Sequence, residues 1–446
     1  IQNPVRVIHG QLPYRDFWLL FPPNAVYFPA LVYKIFGLNT NILLLAAVTA
    51  SMFAGLSSYI LGLVLFKDRF YAFLGALLFF FNGIVIHYGS YVETHLFAMF
   101  LMCYATCLII YMNRRSPKWL ILAGIFGGLA AFSRLYETVP ALLSGIFLLL
   151  WWDQKTNDKI KAVSIFGIAI ATVILGYFIA LSSIAREMIW AVLIDAPKHG
   201  TSEQYSFFGH LAVYFAKFYH TPSVSALFYL IKDGIVYHLF SFMIIPLALW
   251  PLKYLKLEKR DGALIWFLLA WGVLVIPKWW FRASAGNFSF SYLPLFFLLL
   301  LLIQIFSKSE KTLPTKIVQC INMVLLVVFM IPFIVFPIQL GKKLAGKHYQ
   351  INTATGTFMT TNATLAQSTN RVIEYIRSKT KPDDYIFNTQ PESAFYVFTN
   401  RRNPTYYDSL IDLMLRPSIE KQTSVCNDII AKNTKAIIHM ADDNTT

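Results

Sequence analysis

The sequence is poor in charged residues and in cysteine. Only 14% of its 446 residues are Asp, Glu, Lys or Arg, whereas a soluble globular chain has about a quarter. The four cysteines do not form a disulfide framework, and Cys103 and Cys107 lie one helical turn apart in an apolar stretch. Neither a glycine-rich dinucleotide fingerprint nor a Walker motif occurs. These shortages exclude a soluble globular enzyme, a disulfide-stapled domain and a P-loop nucleotidase.

Long apolar stretches fill most of the chain instead. Hydrophobic residues make up 57% of the sequence and aromatic residues 16%. A membrane-spanning helix needs about 20 predominantly apolar residues. Ten stretches meet or approach this length: 39–66, 70–88, 94–112, 118–134, 138–152, 160–182, 234–252, 263–279, 289–306 and 316–338.

The net charge of +15 is concentrated in every second connection between these stretches. Basic loops mark the cytoplasmic side of a membrane protein, so nucleic-acid binding is not expected. The other connections, including a long loop at 183–233, then face outward, as do both ends of the chain. Because Ile1 rather than Met opens the sequence, we expect the native N-terminus to be missing, with at least one further helix upstream. The predicted location is the plasma (inner) membrane.

The two ends of the chain differ from the middle. Residues 24–36 predict a helix that lies in the outer interface and ends at Gly37. From about 345 the sequence is polar and predicts helices at 363–379, with Asn362 as a cap, and near 417–433. Strands are predicted at 385–387 and 435–440.

These patterns predict an all-α polytopic membrane protein with about ten spanning helices and a small C-terminal extracytoplasmic α/β domain. The predicted divisions are an outer loop and interfacial helix at 1–38, a transmembrane bundle at 39–340, and the α/β domain at 345–446.

Asp16 is the single carboxylate in a polar run from Gly10 to Pro23, which precedes the first span. A carboxylate at a membrane surface can act as a general base towards a hydroxyl or amine, or can hold a divalent metal. It can equally be a solvated loop acid paired with Arg15. The aromatic and proline residues around it favour a functional site.

Glu93 and Arg134 lie at the predicted outer ends of two spans. Ionisable groups at membrane level usually mark function, but Glu93 can also be a first-turn residue favoured by the helix dipole. Arg134 faces outward against the positive-inside bias. It can bind a lipid phosphate through its planar fork, pair with Glu137, or do both.

Two further outer loops carry candidate residues. Lys278 and Arg282 lie among aromatic residues and form either a cationic site or an ordinary interfacial anchor. In the long loop, Lys198 and His199 follow Asp195. The spacing of Asp195 and His199 suits a shared metal only in a helix, which Pro197 disfavours.

All of these ionic residues face one compartment in the predicted topology. Acids and bases at one lipid boundary can bind an anionic lipid phosphate and activate an acceptor beside it. Polar residues within the spans, such as Asn82, Gln304 and Asn322, are isolated, which argues against an ion pathway.

The order of these motifs resembles that of the GT-C glycosyltransferases that use polyprenyl-phosphate sugars, a superfamily that includes protein mannosyltransferases and lipid A aminoarabinose transferases. The resemblance rests on Gly10-x-x-Pro13-Tyr14-x-Asp16 with Pro22-Pro23, on Tyr91-Val92-Glu93, on the segment from Gly124 to Arg134, and on Arg282 with Tyr292-Leu293-Pro294. It covers most of the membrane region.

The resemblance implies roles for these residues. Asp16 and Glu93 would be the catalytic acids and metal ligands, with His199 as a further ligand to a divalent Mg, Mn or Zn ion. Tyr14, Arg15, Arg134, Lys198, Arg282 and Tyr292 would bind substrate. Similar proteins carry an Asp or Asp-Glu some dozen residues before the Gly-x-x-Pro-Tyr motif, which would fall before Ile1, so the principal base would lie outside this sequence.

The sequence thus predicts an inverting transfer of sugar from a polyprenyl-phosphate donor to a lipid, glycan or protein acceptor on the extracytoplasmic face. The main alternative is a polytopic lipid or glycolipid flippase, which would place polar residues and paired broken helices deep in the spans. A membrane anchor for the C-terminal segment would not explain the ionic outer loops.

Overall fold

The structure is a computed structural model. It describes residues 2–19, 21–80, 92–152, 155–195, 257–281, 285–308, 345–389, 394–407 and 419–439, with short stretches between 215 and 249 and between 316 and 327.

The described part of the chain is mostly helical. Its helices are α1 (Gln2–Ile8), α2 (Asn24–Phe36), α3 (Thr40–Phe66), α4 (Arg69–Phe80), α5 (Val92–Arg114), α6 (Pro117–Ala131), α7 (Leu135–Trp152), α8 (Thr156–Ala180), α9 (Ala185–Ile189), α10 (Lys259–Phe281), α11 (Ala285–Lys308), α12 (Ala363–Lys379), α13 (Ala394–Thr399) and α14 (Ile419–Ala431). The strands are β1 (Tyr349–Thr353), β2 (Gly356–Thr360), β3 (Ile386–Asn388) and β4 (Ala436–Ile438).

The chain divides into two compact units. The first, here called the terminal unit, comprises Ile1–Ala46, Ser183–His199 and Phe336–Thr446, and the second, the helical unit, comprises Ala47–Ser182 and Gly200–Val335.

Apolar helices of membrane-spanning length run through the described residues. Four qualify by length and hydropathy: Asn41–Phe66, Val92–Arg114, Leu135–Trp152 and Thr156–Ala180. Shorter apolar helices are Arg69–Phe80, Pro117–Ala131 and Leu293–Lys308. These helices coincide with stretches predicted from the sequence. The predicted spans at 234–252 and 316–338 lie largely outside the described residues, so the total of ten stays a prediction.

Close helix packing holds the helical unit together. In α6, Gly124 and Gly128 face α8 so closely that a Cβ at Gly124 would lie 2.5 Å from the Ala169 Cβ. Small residues allow this approach of two backbones, which drives helix association in membranes. Tyr104 in α5 is fully buried and donates a 2.6 Å hydrogen bond from its hydroxyl to the Ala141 carbonyl in α7.

The C-terminal end of α3 is tied to two later helices. Arg260 Nη2, at the start of α10, donates 3.0 Å hydrogen bonds to the carbonyls of Val64 and Leu65. Gln304 in α11 donates a 3.0 Å bond from Nε2 to the Phe66 carbonyl. The last carbonyls of a helix have no intrahelical partner and carry the negative end of its dipole. The isolated Gln304 of the sequence therefore has a structural partner.

The terminal unit contains the predicted mixture of helices and strands. Helix α12 starts where predicted, with the Asn362 side chain accepting a 3.0 Å hydrogen bond from the Leu365 N–H. β3 and β4 pair in parallel, with Phe387 opposite Ile437. The antiparallel hairpin of β1 and β2 and the short helix α13 are not predicted from the sequence. The extracytoplasmic position of this segment stays a prediction.

Helix α2 matches the predicted interfacial helix in its bounds. It ends at Gly37, whose φ of 87° is a left-handed conformation that glycine adopts without strain. Leu31, Ile35 and Phe36 are 53%, 62% and 63% exposed. This apolar exposure suits a helix that lies against lipid. Helix α1, by contrast, is not predicted from the sequence.

Candidate functional site

The Asp16 loop, defined by the described residues between 9 and 23, connects α1 to α2. Its closure is reciprocal: the Leu12 N–H donates a 2.7 Å hydrogen bond to Asp16 Oδ2, and the Asp16 N–H donates a 2.9 Å bond to the Leu12 carbonyl. A carboxylate that bonds nearby backbone amides typically stabilises a turn. The Asp16 side chain is therefore fixed in direction.

Arg15 donates hydrogen bonds from two N–H groups to the Asp16 carboxylate. Its Nε and Nη2 each lie 2.8 Å from one carboxylate oxygen, which is the bidentate geometry that matches guanidinium to carboxylate. The Arg15 hydrogen bond lowers the Asp16 pKa, helped by the Leu12 N–H, while partial burial opposes it. The ion pair between Arg15 and Asp16, one of the two interpretations of Asp16 from the sequence, is present. Asp16 is held as an anion and is a weak proton acceptor.

Arg6 supports the loop from α1. It is buried, its Nη2 donates a 2.9 Å hydrogen bond to the Asp16 carbonyl, and its Nε donates a 2.7 Å bond to Gln11 Oε1. Its guanidinium carbon lies 4.7 Å from the centroid of the Phe17 ring, in a cation–π arrangement. Nothing in the sequence marks Arg6 as part of the site, because α1 itself is not predicted.

Tyr14 is buried inside the loop. Its hydroxyl donates a 2.6 Å hydrogen bond to the Phe21 carbonyl, and burial raises the pKa of this hydroxyl well above its usual value. Its backbone has a φ of 67°, which is uncommon for a residue with a side chain. The contacts of Tyr14 position the loop, and its predicted role in substrate binding stays a prediction.

The C-terminal segment of the terminal unit contacts the same loop. The backbone N–H of Trp18 donates a 2.9 Å hydrogen bond to the Tyr406 carbonyl, and the Tyr406 hydroxyl donates a 2.7 Å bond to the Tyr14 carbonyl. The rings of Trp18 and Tyr407 lie 6.2 Å apart. These partners are almost 400 residues apart in the sequence, so no local pattern could reveal them.

A second group of ionic residues lies in the helical unit, where α5 and α7 begin. Arg134 Nη2 donates a 2.9 Å hydrogen bond to Thr94 Oγ1, and Arg134 Nη1 lies 3.3 Å from Glu137 Oε1. The side chains of Arg134 and Glu137 are only 11% and 4% exposed. Glu93 and His95 are buried beside Thr94, and Arg134 exerts an electrostatic attraction on Glu93.

This arrangement brings together two predicted site residues, Glu93 and Arg134. Arg134 pairs with Glu137, as one of the two sequence interpretations proposed, and phosphate binding stays a prediction. Asp16 belongs to the terminal unit and Glu93 to the helical unit. Lys198, His199 and Arg282 lie outside the described residues, and Tyr292 is placed only as part of the α11 backbone.

The predicted metal site includes His199, which lies outside the described residues, so the structure does not test it. Among the described residues, no three His, Cys, Asp or Glu side chains come close enough together to hold an ion. Asp16 also directs its carboxylate to Arg15 and the Leu12 amide. The Mg, Mn or Zn ion stays a prediction.

Comparison with known proteins gives a fold. No protein-family model and no curated protein sequence matches the chain. A solved structure of ArnT from Cupriavidus metallidurans bound to undecaprenyl phosphate is similar, with a TM-score of 0.50 over 98% of this chain and 83% of that chain, at 10% sequence identity. At this identity the likeness shows the fold alone.

Proposed function

We propose that the protein is an integral membrane glycosyltransferase that moves a sugar from a polyprenyl-phosphate donor to a lipid, glycan or protein acceptor. The observation that carries the proposal is the likeness in fold to ArnT, whose structure holds undecaprenyl phosphate. The apolar helices of the described chain give the same membrane setting.

Arg134 is the proposed phosphate-binding residue. Its guanidinium is almost buried and presents a fork of N–H groups where α5 and α7 begin. Charge-assisted bonds from such a fork to phosphate are stronger than bonds between neutral groups. A donor phosphate would compete with Glu137 for these N–H groups, so the observed ion pair would hold Arg134 ready before the donor arrives.

The proposed reaction is a single displacement at the anomeric carbon. The acceptor oxygen or nitrogen forms a bond to that carbon, the bond to the phosphate oxygen breaks, and the polyprenyl phosphate leaves with the electron pair. The configuration is thereby inverted. Arg134 stabilises the charge that develops on the departing phosphate, and a carboxylate accepts the proton of the acceptor.

Different tasks are proposed for the two predicted acids. A general base works best with a pKa near the operating pH, whereas the Arg15 contact lowers the pKa of Asp16. Asp16 is therefore proposed to act through its fixed negative charge, orienting donor or acceptor. Among the described residues, Glu93, which is buried near Arg134, is the candidate for the proton acceptor. The base predicted before Ile1 stays a prediction.

The proposal is tested with the purified protein in lipid nanodiscs and a panel of polyprenyl-phosphate sugars. We expect release of polyprenyl phosphate with transfer of the sugar, measured by mass spectrometry. Asp16→Asn and Glu93→Gln should each abolish transfer. Asp428→Asn, a change of the same type on α14, should leave it unchanged.

Two outcomes would contradict the proposal. Donor lipid that crosses between leaflets without transfer of sugar would indicate the flippase. Transfer that is equal in Asp16→Asn, Glu93→Gln and Asp428→Asn would remove both acids from the mechanism.

A further inference from the structure

A cavity of about 400 Å³ lies at the other end of α6 from Arg134. The 15 residues of α6 separate the two places by about 22 Å, at 1.5 Å per residue. The cavity is open to the surface and lies between the end of α5, the start of α6 and the start of α8. Its lining residues are Tyr111, Arg115, Pro117, Leu120, Lys155, Asp158, Lys161, Ala162 and Ile165.

The polar part of this lining is mainly cationic. Arg115, Lys155 and Lys161 face one carboxylate, that of Asp158. Helices α6 and α8 also begin here, behind Ser116 and Lys155, and neither of these residues caps its helix with a side-chain hydrogen bond. The positive ends of two helix dipoles thus add to the charge of the lysines and the arginine.

Arg115 is held in place by aromatic rings. Its guanidinium carbon lies 5.7 Å from the centroid of the Tyr111 ring and 5.5 Å from that of Trp152. Its backbone has a φ of 55°, and its N–H donates a 2.8 Å hydrogen bond to the Tyr111 carbonyl. A non-glycine residue in this conformation ends α5 and turns the arginine towards the cavity. The planar guanidinium suits an anion with several oxygen atoms.

An apolar stripe on α8 leads away from the cavity. Residues three or four apart lie on one helix face, and the face of Lys161 carries two polar residues, Ser164 and Thr172, and the apolar Ile165, Ile168, Leu175 and Ile179. The last three are 66%, 60% and 66% exposed. The hydrocarbon layer is roughly 30 Å thick, so one leaflet is about 15 Å. Ile165 and Ile168 lie about 6 and 10 Å along α8 from Lys161 at 1.5 Å per residue, within reach of the acyl chains of a lipid whose phosphate is at Lys161.

We propose that this cavity binds the phosphate of an anionic phospholipid whose acyl chains lie along the α8 stripe. The cations recognise the phosphate, and the exposed apolar side chains of the stripe select a lipid over a free phosphate ion. The site is separate from the proposed transfer reaction, which takes place at the Arg134 end of the bundle. Asp158 weakens binding, because its carboxylate faces the same anion.

Native mass spectrometry of the purified protein with phosphatidylglycerol and with phosphatidylcholine tests the proposal. We expect phosphatidylglycerol to be retained preferentially. Lys161→Gln and Arg115→Gln should each lower its retention by about threefold or more, and Asp158→Asn should raise it by about twofold, as loss or gain of one unit charge near an anion requires. Lys118→Gln is the matched control, because Lys118 contacts the Trp119 ring rather than the cavity.

Three further measurements make the outcome decisive. Lys161→Arg should restore retention, which a fold defect would not allow. Ile168→Ser should lower lipid retention without changing the binding of inorganic phosphate. Inorganic phosphate that displaces the lipid completely, or retention that is equal in Lys161→Gln and Lys118→Gln, would overturn the proposal.

Discussion

Arg134 Nη2 donates a 2.9 Å hydrogen bond to Thr94 Oγ1, across forty positions of sequence. Arg134 also pairs with Glu137 at the start of α7. One guanidinium therefore connects the first turns of α5 and α7. A change at this residue should affect both the stability of the helical unit and the proposed binding of phosphate.

Arg134→Lys tests both effects. The lysine keeps the charge but replaces the planar fork by a single nitrogen, so Thr94 and Glu137 are no longer contacted by two separate nitrogens in the fixed geometry of a guanidinium. We expect a loss of about 1–3 kcal/mol in stability, and a fall in kcat/KM for the polyprenyl donor of roughly tenfold or more, since each 1.4 kcal/mol in the transition state is a factor of ten. Thermal unfolding in detergent and the transfer assay measure the two.

Arg114→Lys is the control, because Arg114 is an exposed arginine at the opposite end of α5. Equal losses in Arg134→Lys and Arg114→Lys would contradict the special role of Arg134.

Arg15→Gln should change the pH dependence of stability through Asp16. A carboxylate whose pKa is lowered on folding contributes stability above its unfolded pKa, about 3.9, and this stability is lost as pH falls through the lower folded pKa. The difference in unfolding midpoint between the wild type and Asp16→Asn should thus be constant near neutral pH and shrink in acid. In an Arg15→Gln background the difference should be smaller and should finish shrinking at a higher pH, because the folded pKa of Asp16 then lies closer to its unfolded value.

An acid-induced decrease that ends at the same pH with and without Arg15 would show that the ion pair does not set the Asp16 pKa. Arg371→Gln, a change on the exposed surface of α12, serves as the charge-matched control.

Tyr14→Phe should weaken the Asp16 loop. The substitution removes the donor of the 2.6 Å bond to the Phe21 carbonyl. Loss of one partner from a buried hydrogen bond costs about 1–3 kcal/mol. Tyr375→Phe is the control, since Tyr375 is 63% exposed. The thermal unfolding midpoint should fall only for Tyr14→Phe, and equal midpoints would argue against a structural role for this hydroxyl.

Gly124→Ala should destabilise the packing of α6 against α8. The added methyl group would lie 2.5 Å from the Ala169 Cβ and 2.8 Å from the Phe166 carbonyl oxygen, and such overpacking costs about 1–3 kcal/mol. Gly167→Ala on α8 is the control, because a Cβ there meets no atom within 4 Å. Its helix should be stabilised by up to about 1 kcal/mol. Comparable unfolding temperatures for the two variants would refute the close contact.

Much of the helical architecture follows from the sequence, because lipid imposes strict rules on the backbone. Helices α3, α5 and α8 are long apolar stretches without a break, and each was predicted within a few residues. The end of α2 at Gly37 and the start of α12 at Asn362 follow from turn and cap chemistry that acts over four or five residues.

The partners of the site residues do not follow from the sequence. Asp16 and Arg15 are neighbours, so their ion pair could be anticipated, but Arg6 and Tyr406 reach the loop only through tertiary packing. Thr94 carries no charge and no motif, yet it fixes Arg134. Hydrophobic periodicity specifies which face of an element is buried, and it does not specify which distant polar side chain meets it there.

The bond from Tyr406 to the Tyr14 carbonyl spans 392 positions, and it has a consequence for biosynthesis. A ribosome adds about 5–20 residues per second, so roughly 20–80 s pass between synthesis of the two tyrosines. During this interval the spanning helices can enter the bilayer while the Asp16 loop still lacks its last partner. The nascent protein would then acquire its complete Asp16 loop only after the spanning helices between the two tyrosines have been synthesised.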